Sequence, residues 1–482
     1  MALTEDEALQ QAVYLDNAGA VKFHIDQFHQ FINDLRKNRY GNPHSGHASG
    51  KLTASRIAEV RERILKHFGT DSSQHCVVFT SSCTAALKLV GECFAYSSCA
   101  GCSKKRSKLS SNNSRTVGKI EECKRGGCRL VYLFDNHTSV IGMREYAWQR
   151  DVGVVCVREE ELVNVIDRPE PTDHGNEPCN CTALFVYPGQ SNFSGRKYPL
   201  DWCERISSGG MLGPQRWYTC IDGAALLSSS RPQLGAAAGP DFLACSFYKM
   251  FGFPTGIGAL VIRRKSAHIL QKVYYGGGTV EFYLPNTDFH VFRQNIEERF
   301  EDGSLPYHLV IALQYCFDEL ERLGGVEKIG LQIFNLAKLA YDRLKELKHG
   351  NGNPVAEIYC NNGFRSPAEQ GGIINFNLLN RDGQYVPCSE VERMATLFNV
   401  QLRSGYFCNI GACQLHLNLT DEDIRKNFQN AVEKDNDETK KPRGSVRISF
   451  GWHSCEYEVD SFIDFIVMWL ILKYDHQGRR RL

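Results

Sequence analysis

The sequence has no G-x-G-x-x-G, so the glycine fingerprint of a dinucleotide-binding strand and helix is missing and that fold is disfavoured. Long apolar runs are missing too. The most apolar window, 462–472, is interrupted by Asp464 and falls well short of the roughly 20 residues a membrane-spanning helix requires, so a buried helix and no membrane partner are expected. Charge of one sign is absent: 56 Lys and Arg against 55 Asp and Glu leave a formal net charge of +1. Such balance gives no electrostatic case for nucleic acid as the main partner, and a small-molecule substrate fits better. The first eleven residues are acidic and polar, without the basic stretch and apolar core of a secretory leader, so a cytoplasmic location is expected.

What is present in number is cysteine, 19 in 482 residues. Scattered through a chain with no secretory pattern, these argue for reduced thiols, metal ligands or catalytic groups, most of them acting as small buried hydrophobes. The length exceeds what one hydrophobic core supports, so two subdomains are expected.

Along the chain, Leu52, Ile57, Val60, Ile64, Leu65 and Phe68 recur at helical spacing and are closed by Gly69. Seven apolar strand candidates follow at 76–79, 129–134, 152–157, 183–187, 217–221, 243–246 and 258–262, several separated by helix-like stretches. The alternation predicts an α/β fold with a mostly parallel seven-stranded sheet and helices on both faces. In such a sheet, ligands bind where strand ends lead into helices.

Residues 96–128 are rich in Ser, Lys, Arg and Gly and read as a disordered surface insertion. Cys99, Cys102, Cys123 and Cys128 within it offer a four-thiolate zinc alternative with irregular spacing, and no metal is expected. Past residue 300, two amphipathic helices (305–323 and 326–347) and short strands (372–378 and 400–404) predict a smaller α+β subdomain. Residues 431–443 are almost wholly charged and read as a flexible loop. The expected division is an N-terminal segment 1–50, a large domain 51–300 and a small C-terminal subdomain 301–482.

The stretch Ser246-Phe247-Tyr248-Lys249-Met250-Phe251-Gly252-Phe253-Pro254-Thr255-Gly256 places a lone lysine between an apolar strand and a glycine-rich turn. Desolvated at a strand end, Lys249 would be a nucleophilic amine; the plainer alternative is a surface lysine in a loop. Ser81-Ser82-Cys83-Thr84 follows the first strand and opens a helix, as a phosphate cradle or as an ordinary Ser/Thr cap. Asp222 closes a strand, as a functional carboxylate or as a turn cap.

The lysine stretch resembles that of pyridoxal-phosphate enzymes, in particular the molybdenum cofactor sulfurases, relatives of the cysteine desulfurases. The likeness runs from Val13-Tyr14-Leu15-Asp16-Asn17-Ala18-Gly19-Ala20 to Ser445-Val446-Arg447-Ile448-Ser449-Phe450-Gly451 and so covers nearly all the chain. It implies a fold-type-I transferase with pyridoxal 5'-phosphate as cofactor, L-cysteine as substrate and the molybdenum cofactor as sulfur acceptor. It assigns Lys249 to the covalent hold on the cofactor, Asp222 to the pyridine nitrogen, and His137 to ring stacking and proton movement. Asn192 would neighbour the ring hydroxyl with Gln190 beside it. Ser82, Cys83, Thr84, Ser246 and Tyr248 would take the phosphate.

By the same resemblance, Cys408 in Leu402-Arg403-Ser404-Gly405-Tyr406-Phe407-Cys408-Asn409-Ile410-Gly411-Ala412-Cys413 is the persulfide-forming thiol, with Cys413 as its rival. Arg447, with Asn192, would grip the substrate carboxylate. Tyr275-Gly276-Gly277-Gly278-Thr279 matches a turn that reaches a neighbouring subunit's phosphate, so Thr279 joins the cofactor set and a homodimer is expected. Two departures from simple cysteine desulfurases, Ala225 for their glutamine and Tyr248 for the histidine before the lysine, favour the sulfurase branch. The further C-terminal domain of the full-length sulfurases is expected to be absent before Leu482. Rival readings are another pyridoxal lyase or aminotransferase of the same fold, and an inactive paralogue serving as a scaffold.

Overall fold

Runs rich in Val, Ile, Leu and Phe, not alternating with polar residues, make strands buried on both faces, and seven such segments with a two-residue edge strand build the large sheet of the protein. The computed structural model describes residues 12–98, 115, 117–125, 127–167, 179–208, 215–235, 239–433 and 441–472. In chain order the strands are β1 (His75–Thr80), β2 (Val117–Gly118), β3 (Arg129–Leu133), β4 (Gly153–Val157), β5 (Thr182–Pro188), β6 (Arg216–Asp222), β7 (Phe242–Ser246) and β8 (Gly258–Arg263). The spatial order is β1-β8-β7-β6-β5-β3-β4-β2. Only the β8 pairings are antiparallel, so β1 runs in the same direction as β7, β6, β5 and β3. The seven expected strands are all present, and the two-residue β2 is an eighth that the sequence pattern did not show.

Each strand divides its side chains between two cores. Val77, Phe79, Phe185, Leu243 and Cys245 pack on one face, with the small subdomain. Cys76, Val78, Leu184, Phe242 and Ala244 pack on the other. The second half of the expected insertion belongs to this structure: Cys123 and Cys128 are buried, the first in one core and the second in the other. They therefore do not form a ligand pair, whereas Cys99 and Cys102 lie outside the described residues.

The small subdomain is built on helices Tyr307–Arg322 and Gly325–Glu346 and an antiparallel sheet of β9 (Ala356–Ile358), β10 (Ile373–Leu378), β11 (Arg403–Gly405) and β12 (Ser445–Ser449), in the order β9-β10-β12-β11. The N-terminal residues are part of this body: Val13–Tyr14 pairs in parallel with Val400–Gln401, and Asp16 bridges to Ser449. The apolar window at 462–472 is helical, with Phe462, Phe465, Ile466, Trp469 and Leu470 buried. Among the described residues no helix is long and apolar enough to cross a membrane. Of the charged stretch, 434–440 lies outside the described residues, and 431–433 ends the helix Asp421–Glu433.

Helix Ala48–His67 covers one face of the sheet and places His67 against Phe317 at 5.2 Å. Burial pushes the imidazoles of His67 and His75 down to about 4 from an ordinary 6.5. Between these values the unfolded chain binds more protons, so this contribution is complete above pH 6.5 and is lost as the pH falls through 4. A thermal midpoint that drops across that window is expected, with a smaller drop in His67→Phe. An identical pH profile for the two proteins would contradict it.

Candidate active site

Because β1, β3, β5, β6 and β7 share one direction, their carboxyl ends meet at one edge, where a cleft of about 100 Å³ is lined by Ser82, Cys83, Thr84, His137, Gln190, Asn192, Asp222, Ser246, Tyr248 and Lys249. Turns separated by up to 167 positions, from Ser82 to Lys249, are thereby brought together. Close approach is possible at the β8 end because residue 258 is glycine: a Cβ there would stand 2.6 Å from the Ser82 carbonyl carbon and 2.9 Å from the Cys83 nitrogen.

Lys249 sits on the short helix Phe247–Phe251, which follows β7 without a break. Phe247 and Phe251 anchor that helix in the core, and Phe251 meets Phe317 edge-on at 5.0 Å. Burial pushes the Lys249 amine below the usual lysine range; Asp222 and Cys83 oppose this, whereas Arg447 and Arg403 add to it. More of the amine is thus unprotonated near neutrality, as a nucleophile or proton acceptor requires. The surface-loop alternative for this lysine does not hold.

Asp222 ends β6 and is 6% exposed. Its Oδ1 accepts the Ala224 N–H at 2.9 Å and the Cys83 thiol at 3.2 Å, so it is both a turn cap and a carboxylate on the cleft. Asp222→Asn is expected to retain cofactor binding and to lose about a hundredfold or more in turnover, since an amide cannot balance a positive charge in the cleft. Unchanged turnover would remove Asp222 from the chemistry.

His137 caps helix Thr138–Ile141. Its Nδ1 accepts the Ser139 N–H at 3.1 Å, which assigns the proton of the neutral ring to Nε2. Burial lowers its pKa, with Asp222 opposing and Lys249 and Arg403 reinforcing. Ser82 caps helix Cys83–Cys93 by accepting the Ala85 N–H at 3.1 Å. The Cys83 N–H donates to Ser246 Oγ at 3.1 Å, and the Thr84 and Ser139 hydroxyls are 2.8 Å apart. This cluster of hydroxyls at a helix N-terminus suits a phosphate. Burial raises the Tyr248 phenol, which stays protonated as a donor. Gln190 Oε1 is buried with no hydrogen-bond partner among the described residues. The donor set, the buried carboxylate and the orphaned amide oxygen fit an anionic, nitrogen-bearing ring compound.

Asn192 is in the cleft, but its amide is already engaged: Nδ2 donates to Phe407 O at 2.7 Å and Oδ1 accepts from Asn409 Nδ2 at 2.8 Å. Arg447, on β12, is 2% exposed. It donates to Asp16 Oδ1 and to Asn192 O, both at 2.9 Å, and stacks on Phe407 at 4.8 Å. Its Nε is buried with no hydrogen-bond partner among the described residues. Of the expected site residues, Thr279, Arg447 and Cys408 do not line the cleft, and the Thr279 hydroxyl donates to Gly276 O within its own turn.

Cys408 and Cys413 are separated by exposure. Cys408 is exposed and, with Phe407, adopts a left-handed backbone at φ of 55° and 52°. Non-glycine residues in that region cost about 1–3 kcal/mol each and persist where neighbours hold them. Cys413 is fully buried, its thiol pushed well up by burial, with Sγ 3.6 Å from Tyr406 O. Sequence reading missed Asp16, Asp135, Ser139, Arg403 and Asn409, whose partners lie on distant segments; Asp16 and Arg447 are 431 positions apart.

The sheet, the smaller subdomain and this cleft define a fold-type-I α/β enzyme. The same architecture occurs in an apo cysteine desulfurase from Thermococcus onnurineus NA1, with TM-score 0.68 and 19% identity over 98% of both chains. It occurs also in the cysteine desulfurase CsdA from Escherichia coli, with TM-score 0.67 and 16% identity over 98% of this chain and 100% of that one. Identities this low speak for the fold alone. The sequence model for aminotransferase class-V matches residues 13–164 and 181–462, and the chain belongs to that family. It is 43% identical over 470 residues to the molybdenum cofactor sulfurase of Homo sapiens, covering 96% of this chain and 50% of that one. To the molybdenum cofactor sulfurase of Danio rerio it is 40% identical over 472 residues, covering 96% and 54%. The chain thus spans about half the length of the curated relatives it matches.

Proposed function

We propose that the chain is a pyridoxal 5'-phosphate-dependent L-cysteine desulfurase that loads sulfur on Cys408 for the molybdenum cofactor. The carrying observation is an exposed thiol in a held loop beside a cleft that also contains a desolvated lysine and a buried carboxylate. Pyridoxal phosphate supplies, when bound, an electrophilic aldehyde and an electron-withdrawing ring. In this reading Lys249 provides the amine that holds the aldehyde and accepts the substrate's α-proton. Asp222 would pair with the ring nitrogen, His137 would lie against the ring with Nε2–H as a proton donor, and Gln190 and Asn192 would be its neighbours. Ser82, Cys83, Thr84, Ser246 and Tyr248 would hold the phosphate, and Arg447 would orient the substrate carboxylate.

Cys408 as thiolate attacks the substrate sulfur. The new S–S bond forms as the substrate Cβ–S bond breaks, the electron pair goes to carbon, and Cβ takes up a proton. L-cysteine and the Cys408 thiol thus become L-alanine and a Cys408 persulfide, with no external oxidant or reductant. The terminal sulfur then replaces an oxo ligand of the molybdenum cofactor by a sulfido ligand; support for that acceptor is the likeness to relatives bearing that name. The active form is a cytoplasmic homodimer, in which the turn carrying Thr279 would serve the neighbouring subunit's phosphate. The reading divides the chain into a segment 1–50 whose start pairs with the small subdomain, a large domain 51–300 and a small subdomain 301–482.

Mass spectrometry after incubation of the holoenzyme with cysteine tests the reading: a one-sulfur adduct on Cys408 and stoichiometric alanine are expected. Formation of alanine with no protein adduct would replace the proposal by a simple lyase, and formation of a keto acid would replace it by an aminotransferase.

A further inference from the structure

Asp135 takes no part in the chemistry assigned above, yet it is a carboxylate 5% exposed, placed just after β3 and two residues before His137. Its oxygens accept from three neutral donors. Oδ1 takes Asn409 Nδ2 at 2.7 Å and the Ser191 hydroxyl at 3.1 Å, and Oδ2 takes the Tyr198 hydroxyl at 2.9 Å. Burying a charge is costly unless such donors hold it, so the arrangement calls for a role that a neutral residue would fill less well.

That role is visible on the other side of the network. Asn409 follows Cys408 directly, and its amide bridges Asp135 to Asn192, whose own amide holds the carbonyl of Phe407 at 2.7 Å. Thr138, next to His137, donates through its N–H at 2.8 Å and its hydroxyl at 2.9 Å to the carbonyl of Cys408. Residues 407, 408 and 409 are therefore each tied to the cleft wall, two of them to the segment that carries His137. The approach is close: a Cβ at Gly411 would lie 1.8 Å from Phe134 O. The left-handed backbone of Phe407 and Cys408 is one that needs such ties.

We propose that Asp135 is the positioning residue for sulfur transfer: through Asn409 it holds the Cys408 loop in place relative to His137, so that the thiol is presented to the substrate sulfur. This rests on the reading of Cys408 as the sulfur acceptor. Three variants test it, Asn409→Ala, Asp135→Ala, and Asp135→Asn, which keeps an acceptor for Asn409. Amide hydrogen exchange is measured on cofactor-free protein; single-turnover adduct formation on Cys408 and the KM for cysteine are measured on holoenzyme.

In Asn409→Ala, exchange within 405–416 should rise about tenfold while the rest of the chain is unchanged, as expected for loss of a hydrogen bond to a charged group. Adduct formation should fall about tenfold or more while KM stays within about twofold, and Asp135→Asn should recover most of the rate lost in Asp135→Ala. If Asp135→Ala does not fold, Asn409→Ala decides alone. Unchanged adduct formation in Asn409→Ala, with an adduct present in the unaltered protein, overturns the positioning role and leaves the desulfurase reading standing. No adduct on Cys408 in the unaltered protein overturns both.

Discussion

Lys249→Ala should yield a folded protein that has lost the visible absorbance of covalently held cofactor and forms alanine from cysteine about a thousandfold more slowly or less, the scale of losing both a nucleophile and a proton acceptor. The argument is local. The lysine follows β7 on a helix anchored by Phe247 and Phe251, so its main chain has little freedom, and burial with two nearby guanidinium groups pushes the amine below the ordinary lysine range. Among the described residues no other lysine lines the cleft. Truncation removes the amine without touching the anchoring rings, so loss of fold is not expected. Absorbance and borohydride-reducible cofactor are the readouts. Reducible attachment at another lysine in the variant would overturn the assignment.

Cys408→Ser should leave cofactor absorbance and cysteine binding intact while abolishing the protein-bound sulfur adduct and slowing alanine formation by about a hundredfold, because a hydroxyl at neutral pH cannot stand in for a thiolate. Cys413→Ser is the control in the same segment. Cys413 is fully buried and its thiol is held protonated, so the control should form the Cys408 adduct at an unchanged rate once folded, with the cost confined to stability. Peptide mapping after cysteine treatment reads both. An adduct found on Cys413, with Cys408 unmodified, would transfer the role to the buried thiol and require the helix Ile410–His416 to open.

The strands of the large sheet were legible because burial on both faces leaves nothing but apolar residues in each run, and the helices past residue 300 because their apolar positions recur on one face. β2 was not legible, being two residues long in a stretch whose composition is polar. Lys249, Asp222 and the Ser82–Thr84 turn stood out by what immediately precedes them, an apolar strand that ends at a fixed edge of the sheet, whereas His137 came only from the family resemblance. For Thr279 the turn is distinctive in sequence, and its place lies off the cleft of its own chain.

What the amino-acid order established is therefore the local part: which segments are strands, which residues stand at their ends, and that one lysine and one cysteine lie in unusual glycine-flanked turns. The folded chain alone decided the rest. It made Cys408 rather than Cys413 the accessible thiol, placed Asp16 on Arg447, and joined Asp135 to Asn409. The physical reason is sequence distance. Hydrogen bonds and burial across 274 or 431 positions depend on how the sheet directions and the small subdomain bring segments together, and no periodicity or spacing within a window carries that information.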